Sequence, residues 1–225
     1  MKTIINCIFS KEHKLIHPIT IDIYSDTVCP WCYIGYKKLQ LAINSVSHFK
    51  FDLVWRPFQL NPDMPIEGME RQQYLEVKFG GKQKAKDTYQ SIYNVGIENN
   101  IHFQFGKIVT TPNSFASHKL LAIAHRLNKQ SSVVEALFYS YFIEGNDIGN
   151  MEQLIVIAKQ HNIYNDKILQ YLKSDEDKDN LLAEEIQARE LGIKGVPCFI
   201  INRKFILFGA QDKKIFLDIF HKINK

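Results

Sequence analysis

Strand patterning appears at the two ends of this 225-residue chain and hardly at all between them. Near the start, "ITIDIYSD" (19–26) alternates Ile19, Ile21 and Ile23 with Thr20, Asp22 and Tyr24, the period of two of a half-buried strand. "FKFDLVWRPFQL" (49–60) is rich in aromatic and branched residues, and it stops at "NPDMP", whose prolines cannot continue a ladder. Between them Ile34, Leu39, Ile43 and Val46 recur at helical spacing among lysines. A strand, a helix and a strand in that order imply parallel pairing, because a helical crossover returns the chain to the same end of the sheet. At the other end, "VPCFIINRKFILFGA" holds two apolar runs, 198–201 and 205–208, around a hairpin-like Asn202-Arg203 link. A last amphipathic helix carries Ile215, Phe216, Ile219, Phe220 and Ile223 on one stripe.

From 61 to 192 the periodicity is helical. Helices are expected over 70–78, 82–99 and 133–143, with Gly80-Gly81 breaking the first two apart. Another begins after Pro112, with Asn113 or Ser114 as its cap. Asn150, with Gln153 three residues on, opens a further one, and "SDEDKDNLLAEEIQARELG" starts at Ser174 and Asp177 and stops at Gly192. The expected fold class is α/β: one sheet domain assembled from 19–61 and 193–225, with an all-helical domain, 62–192, inserted in it. Residues 1–18 read as an N-terminal extension.

Composition excludes several function classes. The net charge of +4, from 28 basic and 24 acidic residues, leaves no basic stripe for nucleic acid. No apolar window is long enough to span a membrane. "MKTIINCIFSKEHKLIHPIT" has neither the apolar core nor the small-residue cleavage site of a secretory signal, so a cytoplasmic location is expected. The four cysteines are too few for a disulfide scaffold. In a reducing compartment, a close cysteine pair points to catalysis or metal binding.

That pair is Cys29 and Cys32, in "SDTVCPWCYIGYKKL". On a helix the i, i+3 spacing puts both thiols on one face, about 5–6 Å apart at Cβ, within small adjustment of a disulfide. Pro30 suits the first helical position, where its missing N–H costs nothing. Cys29 then stands at the helix N-terminus, where free N–H groups and the dipole stabilise an anion. The thiolate is the attacking species in disulfide exchange, and Cys32, one turn further in, is placed to resolve a mixed disulfide. A structural zinc would want four ligands, and Cys7 and Cys198 are isolated in the sequence, so no metal is expected. Two inert buried thiols would leave Pro30 and the strand-to-helix turn without a reason. The Val196-Pro197 step begins a strand, as either a cis bond facing the thiols or an ordinary trans proline.

In order along the chain, "SDTVCPWCYIG", "WRPFQLNPDMP", "PNSFASHKLL", "YFIEGNDIGN", "ARELGIKGVPCFIIN" and "GAQ" resemble the DsbA-related, FrnE-like oxidoreductases. The likeness runs from about residue 19 to the C-terminus. It implies a thioredoxin-like fold with an inserted helical domain, Cys29 as nucleophile, Cys32 as resolving cysteine and Pro197 as the cis proline beside them. It also implies a groove to which Trp31, Phe58, Asn113 and His118 contribute, and a thiol- or disulfide-containing protein or small molecule as substrate. No bound cofactor is expected beyond the redox-active pair, and the chain is expected as a monomer or homodimer. Related enzymes, the 2-hydroxychromene-2-carboxylate isomerases and kappa-class glutathione transferases, give the alternative: activation of glutathione as co-substrate. A cysteine in place of their usual hydroxyl residue favours exchange chemistry.

Three further residues have two readings each. Asp26 either accepts a proton from Cys32 or caps the turn. His118 shares a helix with His125, without other ligands at metal spacing, and either orients substrate or sits at the surface. Cys198 departs from the family pattern and either lies near the redox pair or points into the sheet as a small core hydrophobe; Cys7 reads as an incidental free thiol.

Overall fold

The computed structural model describes residues 18–223. The expected extension, apart from Pro18, and Cys7 with it, lie outside the described residues. Strands β1 (Ile19–Ser25), β2 (Phe51–Pro57), β5 (Cys198–Ile201) and β6 (Phe205–Phe208) form one sheet in the order β2-β1-β5-β6. β1 and β2 run parallel, with Ile19 opposite Phe51. β5 is antiparallel to β1, and β6 to β5. Helix α1 (Pro30–Ile43) makes the crossover, and α9 (Lys213–Ile223) packs beside it. Both chain ends thus build one sheet, a thioredoxin-like fold with a helical insertion.

The alternation in β1 explains which face is covered. Ile19, Ile21 and Ile23 are buried in one core with Leu39 of α1, Phe199 of β5 and Phe216 and Phe220 of α9. On the opposite face Arg56 Nε donates to Asp22 Oδ1 at 2.8 Å. The β5–β6 turn places Asn202 and Arg203 at φ 49° and 54°, the positive values a type I′ turn requires. The Asn202 carboxamide oxygen accepts from Thr20 N at 2.8 Å, which ties the turn to β1.

The insertion carries α2 (Arg71–Phe79), α3 (Lys82–Glu98), α4 (Phe115–Arg126), α5 (Gln130–Tyr139), α6 (Met151–Gln160), α7 (Asp166–Lys173) and α8 (Lys178–Glu190). Its aromatic core reaches α1: the Tyr33 ring stacks on Phe138 at 5.1 Å and meets Phe103 edge-on at 6.1 Å. Offset and edge-on pairs of this kind add about 0.5–1.5 kcal/mol each beyond burial. α1 is therefore held from two sides, by the sheet and by the inserted helices, and its N-terminus is fixed between them.

The structure departs from expectation at five places. α7 has no counterpart in the sequence reading. Two-residue strands β3 (Met69–Glu70) and β4 (Thr110–Thr111) pair antiparallel. The helix expected over 133–143 continues past Tyr139 as a π-helical turn, Ser140–Glu144, where the Phe142 carbonyl accepts from Gln104 N at 2.8 Å. The helix expected to open at Ser174 opens at Lys178, because the Asp177 carboxylate takes Tyr171 and Arg126 as partners and its backbone adopts φ 62°. Asn150 caps α6 as expected, accepting from Glu152 N at 2.8 Å, but Gln153 reaches Ser140 Oγ rather than back to the cap.

Among the described residues no helix is long and apolar enough to cross a membrane, and no three His, Cys, Asp or Glu side chains cluster as a metal site.

Candidate active site

Strand β1 ends at Ser25, and four residues carry the chain to α1. Cys29 is the N-cap residue, in extended backbone (φ −96°, ψ 113°), with Pro30 at the first helical position. Cys29 N donates to Asp26 O at 3.1 Å and closes the turn. The helix start has no side-chain cap and no acid in its first turn. A helix N-terminus is the positive end of its dipole, and Cys29 occupies the cap position there.

Cys29 and Cys32 are free thiols, both buried, one helical turn apart, with Cys32 N donating to Cys29 O at 3.0 Å. Burial pushes the Cys32 thiol well above its ordinary value, and the neighbouring Cys29 sulfur pushes the same way. The Ser25 hydroxyl and the Asp26 main-chain N–H act in the opposite sense. Cys29 stands at the helix end and Cys32 one turn further in, both within the core. On the far side the Cys29 thiol donates to the Val196 carbonyl at 3.8 Å, and the Val196–Pro197 peptide is cis.

Gly35 lets these parts meet. A Cβ there would stand 2.9 Å from Pro197 Cγ and 3.2 Å from Phe199 Cζ. Only the missing side chain allows α1 to lie this close to the β5 entry.

Asp26 is fully buried and holds the turn: its carboxylate accepts from Val28 N at 3.3 Å and Leu60 N at 2.7 Å. Of its two expected roles, the geometry displays the capping one. His118 is not at the surface; it is buried, with Nε2 3.7 Å from Asp26 Oδ1 and no hydrogen-bond partner among the described residues.

The other expected site residues separate. Trp31 is 38% exposed at the mouth of the motif. Phe58 is buried, in a cluster with Ala188, Ile193 and Cys198, beneath the Arg189 guanidinium at 4.3 Å. Asn113 staples the 59–64 loop to α4, with Nδ2 donating to Met64 O at 2.7 Å and Oδ1 accepting from Phe115 N at 2.9 Å. Cys198 faces away from the pair. Alternation along β5 turns Phe199 toward α1 and Cys198 toward α8, where burial raises its thiol to about 11.

Sequence reasoning passed over Ser25 and Gly35. The alternation of β1 extends to Ser25 on the covered face, which brings it beneath the pair. Gly35 lies three residues beyond Cys32, on the same side of α1.

A four-stranded mixed sheet with a C-x-x-C pair at the start of its first helix defines a protein of the thioredoxin-like class. Residues 20–220 match the model of the DSBA-like thioredoxin domain. The chain belongs to that family. It is 25% identical over 199 residues, 88% of this chain and 94% of the other, to YwbO of Bacillus subtilis, an uncharacterized protein. A structure described as a probable DsbA oxidoreductase from Streptomyces coelicolor superposes with TM-score 0.83 at 22% identity, covering 91% of this chain and 89% of that one. The cytosolic disulfide reductase DsbM of Pseudomonas aeruginosa, solved with GSH, superposes with TM-score 0.64 at 14% identity, covering 92% and 100%.

Proposed function

We propose that this protein is a thiol–disulfide oxidoreductase that exchanges disulfides through Cys29 and Cys32. The observation that carries the reading is the placement of the pair: Cys29 at the N-cap position of α1, within 3.8 Å of the Val196 carbonyl beside the cis Val196–Pro197 peptide, and Cys32 one turn further in, where burial holds its thiol protonated. A helix N-terminus favours negative charge on the sulfur it faces. Cys29 attacks a substrate disulfide as the thiolate, forming a Cys29–substrate disulfide and releasing one substrate thiolate. Cys32 then loses its proton and attacks the Cys29 sulfur, which closes the Cys29–Cys32 disulfide and releases the second thiolate. The substrate gains two electrons and the pair loses them; the reverse sequence oxidises a substrate dithiol.

The Val196 carbonyl contacts the Cys29 sulfur, and Val196, Pro197 and the exposed Trp31 are the residues against which a substrate would lie. Residues 19–61 and 193–225 form the catalytic unit, and 62–192 the inserted one. No cofactor beyond the cysteine pair is required. The family and the cytosolic neighbour solved with GSH support a cytoplasmic enzyme acting on small-molecule or protein thiols, glutathione among them.

Trapping tests this directly. Cys32→Ala removes the resolving thiol, so substrates accumulate as mixed disulfides on Cys29, identifiable by mass spectrometry. Adducts on Cys198 instead, or none, would refute the assignment. A glutathione-activating isomerase or transferase would instead retain its activity in Cys29→Ser.

A further inference from the structure

His118 is buried, 3% exposed, and its Nε2 has no hydrogen-bond partner among the described residues. That nitrogen stands 3.7 Å from Oδ1 of the fully buried Asp26. The Asp26 carboxylate accepts from the main-chain N–H groups of Val28 and Leu60, and no lysine or arginine among the described residues pairs with it. A buried carboxylate is costly unless a cation completes it, and among the described residues the His118 imidazole is the base within reach. Asp26 is tied in turn to the cysteine site. Cys29 N donates to Asp26 O at 3.1 Å, so residues 26–29 form one closed turn whose ends lie within about 7 Å at Cα.

His118 also lines a cavity of about 140 Å³ that β2, α4 and α8 enclose. Arg56 and Glu184 are half-buried in its wall, and His125 and Arg126 are exposed there, so the cavity reaches solvent. Arg56 is engaged by Asp22 and Glu184, and Arg126 by Asp177. The other elements packed on α4 bring no free charge to it. The buried faces of α5 and α6 are uncharged, Tyr171 of α7 donates to Asp177, and Glu185 of α8 pairs with Arg189. Lys119, the next residue on α4, donates to the Tyr171 and Ser174 carbonyls. His118 is therefore placed to carry a proton from solvent to the Asp26 carboxylate.

We infer that His118 is a positioning residue for the exchange reaction: it takes a proton from solvent and, as a cation against Asp26, offsets the carboxylate in the Cys29 turn and so favours the Cys29 thiolate. The inference rests on the exchange reading above. Linkage makes the effect reciprocal: the factor by which charged His118 raises the thiolate fraction is the factor by which the thiolate raises proton binding at His118. When the Cys29–Cys32 disulfide closes, that proton returns to solvent through the cavity, and no electrons move in the step. A charge on the order of 10 Å away, at an effective dielectric constant of about 20, changes such an equilibrium about tenfold.

Alkylation of Cys29 by iodoacetamide in the Cys32→Ala protein, read by peptide mapping across pH, reports the thiolate. His118→Gln should slow it about tenfold near about pH 5.5 and leave it unchanged near about pH 9, where an imidazole carries no charge. Adding Asp26→Asn to His118→Gln should restore the acid-side rate, because no buried carboxylate is then left to offset. An equal slowing at every pH, no slowing at all, or no restoration by Asp26→Asn overturns the inference and leaves His118 a structural residue. If His118→Gln does not fold, the wild-type protein decides: followed by NMR, the His118 imidazole should titrate about one pH unit higher in the reduced form than in the disulfide form, the same tenfold factor. Equal titrations in the two forms overturn it. Reduction of bis(2-hydroxyethyl) disulfide by the wild-type protein tests exchange alone, and its failure refutes that reading while the alkylation and NMR results still decide the role of His118.

Discussion

Gly35→Ala is the smallest change that tests how the site is held together. In an ordinary helix interior it would stabilise, because Ala is favoured over Gly by about 1 kcal/mol. Here the added carbon would stand 2.9 Å from Pro197 Cγ, 3.2 Å from Phe199 Cζ and 3.4 Å from Ala210 Cα. None of these gives way easily. Phe199 is fully buried, and the Pro197 carbonyl is anchored by Gly209 N at 2.8 Å. Overpacking of this kind costs about 1–3 kcal/mol, so the net change should be a loss of roughly 1 kcal/mol instead of a gain. The strain is relieved by tilting α1 off β5, which moves Cys29 away from Val196. Misplacement by about 1 Å costs on the order of 10²-fold in rate, so kcat/KM for disulfide reduction should fall by at least about tenfold. Urea denaturation and a disulfide-reduction assay read the two effects. A Gly35→Ala protein that is more stable than wild type and equally active would refute the packing argument.

Two further predictions concern stability. The Cys198 thiol is raised to about 11 by burial from an ordinary 9.0. Its contribution is therefore full below pH 9 and is lost as pH rises through 11, amounting to roughly 2–3 kcal/mol. Cys198→Val should flatten that alkaline decline in urea melts taken at stepped pH, whereas an unchanged slope would assign the decline to other groups. Lys119, buried on α4, donates through Nζ to the Tyr171 carbonyl at 2.6 Å and to the Ser174 carbonyl at the end of α7. Lys119→Met should cost about 1.5–3 kcal/mol in the same assay and loosen α7 first, seen as faster amide exchange over 166–173.

The sheet was legible because β1, β5 and β6 each carry a local signal: alternation in 19–25 and two apolar runs around Asn202-Arg203. The cysteine pair was legible because Pro30 marks the helix start that gives Cys29 its position. Other features depend on partners far along the chain. The strands Met69–Glu70 and Thr110–Thr111 are too short to alternate, and only their pairing defines them. Asp177 reads as a helix cap until Tyr171 and Arg126 claim its carboxylate. His118 stands between Ser117 and Lys119 in the sequence, where nothing local marks it as buried; its burial follows from packing over Asp26, 92 positions earlier. The cage around Arg71 draws on Tyr89, Thr111 and Tyr141 from three separate elements, so no window of sequence contains it.

The central claim, that Cys29 and Cys32 act as one two-electron couple, is tested by equilibrating the protein in graded glutathione buffers. Acid quenching, alkylation and peptide mapping then read the state of each cysteine. A single transition to a Cys29–Cys32 disulfide that follows two-electron stoichiometry, with Cys198 free throughout, is the predicted result. A Cys29–glutathione adduct that persists while Cys32 stays a thiol, or disulfides that involve Cys198, would contradict it.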